Sequence, residues 1–470
     1  MRLMIAGGGG FRVPLVYRAL ASGPFSGLVR DLVLYDVDPA RLEAMDAVLS
    51  AMAAEPASSP SGSRPTIRTT TSIAQALKGT DIVFAAVRPG GTAGRVADER
   101  VALELGLLGQ ETTGAGGISY GLRSIPAMLE LAEAMRQLAP EAWLINFTNP
   151  AGMVTEALRP ILGNRVIGIC DSASGLVRRA AEAAGAPLPE GRLDGVGYYG
   201  LNHLGWLYRL ESGGRDLLPE LLSDAPALAG FEEGRLFPQQ FLAQLGCLPN
   251  EYLFYYYDTA KAVEAIRAAE GTRGESIHSQ QQELYPRLAA AGPAAYSLWE
   301  SARRSREEGY LAEARPAGED RHTEDLHGGG YERVALSVMR ALAGAGDAEL
   351  ILNTVNAAGR DAGHGSGANG STAIPAIPGL PTDAVVEVPC VVSAEGALPL
   401  PQSRPHDSQL SLMLLIKQVE RLTIRAATIG DRDAAVAAFA GHPLIASDSL
   451  ASELLTGYEK AFPALLERWR

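Results

Sequence analysis

Cysteine is scarce in this chain: Cys170, Cys247 and Cys390 are the only three in 470 residues, and they lie far apart. An odd, sparse set makes a poor disulfide framework and points to a reducing compartment. Surplus positive charge is also missing. Lys and Arg number 41 against 54 Asp and Glu, for a formal net charge of −13. That balance argues against a groove built to neutralise nucleic-acid phosphates, although a few local arginines can still hold one anionic substrate. Long apolar runs are absent as well: none approaches the roughly 20 residues that span a bilayer. The apolar stretch in MRLMIAGGGG is too brief for a secretion signal. Aromatic residues make up only 6% of the chain, yet 47% hydrophobic and 20% charged residues are a globular composition. The expectation is a cytoplasmic protein with neither a nucleic-acid nor a membrane partner, and the length favours two domains.

What is present begins with a strand and a glycine turn. Arg2 to Ala6 reads as a buried parallel strand, Gly7 to Gly10 follow at once, and a helical pattern starts near Val13. Strand, glycine turn and helix together aim backbone amides and a helix N-terminus at a pyrophosphate. Gly7, Gly8, Gly9, Gly10 and Phe11 are therefore candidate cofactor contacts, although a third glycine in the usual spacing is replaced by Arg12 or Val13. A second strand, Leu32 to Tyr35, ends at Asp36. An acidic residue there can accept from the ribose hydroxyls of NAD and repels the extra phosphate of NADP. The plainer reading of such an Asp is a helix cap, and Asp38-Pro39 fits that role. Strands at Asp81 to Ala86, Trp143 to Asn146 and Val166 to Ile169 continue the alternation. Their carboxyl ends should bring Arg88 to Arg95, Asn149 and Cys170-Asp171 to one edge of a nucleotide site.

Beyond that point helical segments (Leu176 to Ala184, Pro238 to Leu245, Ala260 to Ala269, Glu332 to Gly344) mix with strand-like runs (Gly195 to Tyr199, Trp206 to Arg209, Val385 to Val391). This suggests an α/β chain with a Rossmann-type NAD-binding domain over 1–170. A larger α+β catalytic domain follows over 171–470 and carries metal and substrate. Residues 357–371, rich in Gly and Ala with little to bury, read as a mobile loop.

The stretches GQETTGAGG (Gly109 to Gly117), NFTNPAG (Asn146 to Gly152), GICDS (Gly168 to Ser172), GLNHLGW (Gly200 to Trp206) and VVEVPC (Val385 to Cys390) occur in a distinctive order and spacing. On these motifs the chain resembles the family 4 glycoside hydrolases, NAD- and metal-dependent enzymes acting on phosphorylated glucosides. The resemblance implies a C-terminal architecture like that of lactate and malate dehydrogenases, and a homodimer or homotetramer. It also implies a divalent metal, commonly Mn2+, held by Cys170 and His203. Two protein ligands leave coordination positions open for sugar hydroxyls and water.

The implied chemistry departs from the two-carboxylate scheme of most glycosidases. NAD oxidises C3 of the sugar, a base removes the C2 proton, the aglycone is eliminated, water adds, and the hydride returns. The implied base is a tyrosine, matched by Tyr252, and the packing of Tyr252, Tyr255 and Tyr256 on one helix face leaves Tyr256 open. Glu111 matches an acidic residue that raises the basicity of that tyrosine. Arg95, Asn149 and Arg273 match substrate-side positions, where a guanidinium suits a sugar phosphate. Asp171 departs from the Asn of many β-acting members and matches the acid of certain α-acting ones. GLNHLGW and TTGAGG are nearer the β-acting pattern, so the expected substrate is a 6-phospho-β-glucoside. A 6-phospho-α-glucoside, another glycoside cleaved by the same mechanism, a plain NAD-dependent dehydrogenase and a non-catalytic sugar-phosphate or NAD sensor are the alternatives. The dehydrogenase predicts net NADH and no metal need. The sensor predicts loss of a catalytic position, yet Arg95, Glu111, Asn149, Cys170, His203 and Tyr252 are all present.

Overall fold

A computed structural model describes residues 1–55, 64–315, 321–322, 330–358 and 374–469. Six parallel strands form its first half: β1 (Arg2–Ala6), β2 (Asp31–Tyr35), β3 (Thr66–Thr70), β4 (Ile82–Ala85), β5 (Trp143–Asn146) and β6 (Val166–Gly168). Their spatial order is β3-β2-β1-β4-β5-β6, the doubly wound dinucleotide arrangement. The order reverses between β1 and β4, and the crevice beyond their carboxyl ends is where such sheets bind ligands.

Five of these strands follow from the sequence pattern, and β3 does not. TIRTT has no apolar face, and its side chains are exposed or half-buried. It is an edge strand held by backbone pairing to β2 alone, so burial periodicity could not reveal it.

The strand-like runs of the second half join the same sheet. β7 (Val196–Leu201), β8 (Leu204–Ser212), β9 (Arg215–Asp216), β10 (Leu248–Pro249), β11 (Ala348–Val355), β12 (Val385–Ser393) and β13 (Gly396–Pro399) extend it to 13 strands, with β11 antiparallel to β6 at Asn353↔Gly168. A strand buried on both faces reads as a continuous apolar run. Val385–Ser393 is such a strand, fully buried through Cys390.

The helices packed on the first half are α1 (Val13–Ala21), α2 (Pro39–Ala54), α3 (Ile73–Leu77), α4 (Gly91–Glu104), α5 (Gly114–Leu138), α6 (Ala151–Leu162) and α7 (Ser172–Ala183). Asp38 caps α2 by accepting from the amides of Ala40 and Arg41. Of the expected mobile loop, residues 359–371 lie outside the described residues. Ala358 pairs with Ile374 across that segment. Among the described residues no helix is long and apolar enough to cross a membrane.

Candidate active site

Gly7 follows β1 with φ +86°, and a Cβ there would lie 2.4 Å from the carbonyl oxygen of Ala86 at the end of β4. Only glycine tolerates both demands. The turn consumes most of its own amides: Gly7 and Gly8 donate to the Tyr35 carbonyl, Gly10 to Gly7, and Gly9 to Asp36 Oδ2 at 2.9 Å. Asp36 Oδ1 accepts from the Asp38 amide as well. The amides of Phe11 and Arg12, just ahead of α1, take no internal acceptor among the described residues. These two amides at a helix N-terminus, with a carboxylate fixed at the end of β2, fit a dinucleotide.

Three side chains from the second half hold the turn from its other side. Tyr285 Oη donates to the Gly9 carbonyl at 2.8 Å, Trp299 Nε1 to the Phe11 carbonyl at 2.8 Å, and Tyr331 Oη to the Arg12 carbonyl at 2.6 Å. None of the three is evident from the sequence. They lie more than 270 residues downstream and carry no local signal.

Glu111, in the loop before α5, is the electrostatic centre of the neighbouring cluster. It pairs with Arg88 through Oε2 and with Arg95 Nη1 through Oε1 at 2.7 Å. Burial alone would raise its carboxyl, but the charges of Arg88 and Arg95 outweigh burial and hold it at about 2. Arg95 also reaches Glu99 Oε1 at 2.8 Å, and Glu99 Oε2 accepts from the Gly274 amide at 2.8 Å. That contact ties α4 to the helix Arg273–Ala290 and brings Arg273 to the cluster. The Arg273 guanidinium is lowered by burial and then by Arg95.

On the other side of Glu111 stand His203 and Tyr252. His203 occupies the tight link between β7 and β8 with φ +62° and is 7% exposed. Burial pushes its imidazole down to about 3, so the ring is neutral, the form that binds a metal. Tyr252 stacks on it, ring centroids 3.7 Å apart and planes 6° from parallel.

Tyr252 and Tyr255 adjoin as the helical spacing predicts, ring centroids 6.2 Å apart and planes 55° from parallel. Glu251–Leu253 is a 3-10 turn that runs directly into the single α turn Phe254–Tyr257, and Asn250 caps its start by accepting from the Tyr252 amide. Tyr255 Oη is bound to Glu313. Tyr256 lies 6.0 Å from His442 and lines a narrow cavity with Thr112, Asn202 and His203. Tyr252 contacts the His203 ring face to face, and its hydroxyl lies 3.5 Å from that of Tyr310.

Cys170 follows β6 and is buried, which pushes its thiol well up, and Glu387 and Asp171 add to that effect. Asp171 begins α7 and sits 3.9 Å from Arg12 Nη1. Asn149 Oδ1 is buried without a hydrogen-bond partner among the described residues. Among the described residues no three His, Cys, Asp or Glu side chains form a ready metal cage. A neutral imidazole, a buried thiol and an orphaned amide oxygen nonetheless fit an open divalent site completed by substrate and water.

Close by is Glu387, the one charged residue of the VVEVPC motif on β12. Tyr198 Oη donates to it at 3.0 Å, Asn353 Nδ2 at 3.1 Å and Asn202 Nδ2 at 3.3 Å. Asn202 also accepts from the Ala151 amide at 3.1 Å. The Asn202 carboxamide thereby joins the loop bearing Asn149 to the turn bearing His203, and Glu387 holds that carboxamide from the other side. A charged residue inside an apolar strand was the signal that could have found it.

Residues 4–186 match the profile described as Family 4 glycosyl hydrolase, and residues 198–445 match Family 4 glycosyl hydrolase C-terminal domain. The chain belongs to family 4 of the glycosyl hydrolases. Among its family 4 relatives is the 6-phospho-beta-glucosidase of Escherichia coli K12, 29% identical over 83% of this chain and 80% of the relative. The 6-phospho-alpha-glucosidase of Leptotrichia buccalis is 29% identical over 90% of this chain and 89% of its own. The 6-phospho-beta glucosidase from Thermotoga maritima, solved with manganese, NAD+ and glucose-6-phosphate, is 26% identical. Its structure aligns with a TM-score of 0.77 and covers 99% of both chains.

Proposed function

We propose that this chain hydrolyses 6-phospho-β-glucosides with NAD and a divalent cation, Mn2+ first among candidates, as resident cofactors. The observation that carries the reading is the stacking of Tyr252 on a neutral, buried His203, both within electrostatic range of Glu111. They stand beside a sheet edge suited to a dinucleotide. When bound, NAD+ takes and returns a hydride at sugar C3, and the cation offsets negative charge developing on the sugar oxygens.

The chain's own residues divide the remaining work. Gly7, Gly8, Gly9, Gly10, Phe11 and Asp36 form the dinucleotide seat, and Cys170 and His203 are the metal donors. Tyr252 removes the C2 proton, and Asp171 supplies a proton to the leaving oxygen. Glu111 biases Tyr252 by charge, though Arg88 and Arg95 absorb much of its field. Asn149 contacts the sugar. Arg95 is doubly committed to Glu99 and Glu111, which leaves Arg273 as the cation for the 6-phosphate. The proposal includes a 1–170 cofactor domain and a 171–470 catalytic domain, a cytoplasmic location and a homodimer or homotetramer.

Asp171, which stands where many β-acting members carry Asn, favours the 6-phospho-α-glucoside as a second reading, although Arg12 3.9 Å away favours its charged form. Release of 4-nitrophenol from 4-nitrophenyl 6-phospho-β-glucoside, its α-anomer and both unphosphorylated glucosides tests the choice, with NAD+ and Mn2+ omitted in turn. Cleavage of the β-phosphoglucoside that needs both additives and yields no net NADH is expected. Cleavage of the α-form alone would move the substrate to that anomer. Silence on all four by a folded, NAD-binding protein would overturn the hydrolase reading.

A further inference from the structure

The helix Ala295–Glu308 runs past the glycine turn and touches it twice. Trp299 secures the Phe11 carbonyl and packs on the Phe11 ring, centroids 5.8 Å apart. Two turns further on, Arg306 lays its guanidinium over the same ring, 3.5 Å from the centroid. Its Nε donates to Gln280 Oε1 at 2.6 Å, which fixes the fork. Its Nη2 is buried and has no hydrogen-bond partner among the described residues.

The surrounding arginines have acceptors. Arg303 and Arg304 pair with Glu300, Arg88 and Arg95 share Glu111, and Arg321 binds Glu232. Arg306 instead faces cations. Burial pushes its guanidinium down to about 9; Tyr285 opposes that shift, and the charges of Arg12, Arg273 and Arg95 add to it. A buried charged donor without an acceptor is costly, and a guanidinium fork matches the oxygens of a phosphate. An anion among Arg306, Arg12 and Arg273 would satisfy the free Nη2 and relieve the mutual repulsion of the three.

We propose that Arg306 is a phosphate-binding residue of the glycine turn, with its free Nη2 donating to a phosphate oxygen of a bound ligand. The inference deepens, and in part rests on, the reading of this site as one for NAD and a phosphorylated sugar. Both ligands carry the required chemistry: the diphosphate of the dinucleotide on the Phe11 side, the sugar phosphate on the Arg273 side.

Calorimetric titration of the metal-free protein with NAD+, glucose 6-phosphate and inorganic pyrophosphate separates the sources. Arg306→Met keeps an apolar stem on Phe11 and removes the charge, Arg306→Lys keeps the charge, and Arg306→Gln serves if the Met variant unfolds. The expected result is a Kd about ten- to a hundredfold weaker in the neutral variants, with partial recovery in Arg306→Lys. A loss confined to NAD+ and pyrophosphate assigns the cofactor diphosphate, and a loss confined to glucose 6-phosphate assigns the sugar. If the wild type binds pyrophosphate through Arg306 but neither larger ligand, the phosphate site stands and the NAD-and-sugar reading fails. Affinities for all three probes within twofold of wild type in a folded neutral variant would overturn the proposal.

Discussion

A carboxyl group stands in the middle of one of the most apolar strands of the molecule. Glu387 is 1% exposed, with valines on both sides along β12. Burial raises its pKa to about 7 against three stabilising donors, Tyr198, Asn202 and Asn353. A folded pKa above the unfolded value of 4.5 means that the folded state holds a proton the unfolded state has lost. Stability contributed by that proton is complete below about pH 4.5 and is lost as pH rises towards 7, for a total of about 3 kcal/mol. Thermal melts of the metal-free protein at stepped pH should fall across this window, and those of Glu387→Gln should fall less. Parallel pH profiles for the two proteins would remove Glu387 from the account. At this scale Cys170, Asp171, His203 and Tyr252 were singled out by the family resemblance their motifs carry and not by their own chemistry. Glu387 was visible in VVEVPC but unread, because a strand run suggests burial and gives no sign of the hydrogen bonds that make a buried carboxyl tolerable.

The glycine turn is the element on which the cofactor reading depends, and it does not hold its shape alone. Its amides fold back on Tyr35, Gly7 and Asp36, while its carbonyls at Gly9, Phe11 and Arg12 are each satisfied by a ring from the second half of the chain. Tyr285→Phe removes one such donor and leaves the Gly9 carbonyl unsatisfied, and it also releases Arg41 Nη2, which donates to the same hydroxyl at 2.8 Å. The expected consequence is an NAD+ Kd about three- to tenfold weaker with affinity for glucose 6-phosphate unchanged. Equal NAD+ affinity in the two proteins would show that the turn is rigid without this brace. The turn was legible because glycine after a first strand answers a backbone demand that no other residue meets. Its braces were not, since contacts between residues 9 and 285 leave no periodic trace. The long helix α5 escaped notice for a related reason. It opens on Gly114, Gly116 and Gly117, and contains Pro126, all poor helix formers in isolation. Packing sets their conformation: a Cβ at Gly116 would fall 2.1 Å from the Gln110 carbonyl oxygen, in the loop that carries Glu111.

For the whole molecule, the end of the chain returns to the nucleotide-binding half. The helix Asp448–Ala461 packs on α4, where Tyr458 Oη donates to the Asp98 carbonyl at 3.0 Å and Gly457 abuts Val101. Asp98 in turn holds Arg123 through both carboxylate oxygens, at 2.9 and 2.7 Å, and Arg123 lies over the Phe462 ring, 3.8 Å from its centroid. Leu454, Leu455, Tyr458 and Leu465 are buried in one core with Met4, Val83 and Leu144 of the parallel strands. This helix lies beyond residue 445, where the family match ends, and it covers the α4 face of Asp98 and Val101, next to the face on which Arg95 reaches Glu99. Burial of four such side chains contributes upwards of about 6 kcal/mol. Deleting residues 447–470 should therefore loosen a region more than 300 positions earlier in sequence. Amide hydrogen exchange across Gly91–Leu138 should accelerate at least about tenfold, with the second-half strands Val196–Leu201 and Leu204–Ser212 less affected. If protection in α4 and α5 is unchanged in the shortened chain, the C-terminal helix is a passive cover and the active-site arginines are held by Glu99 and Glu111 alone.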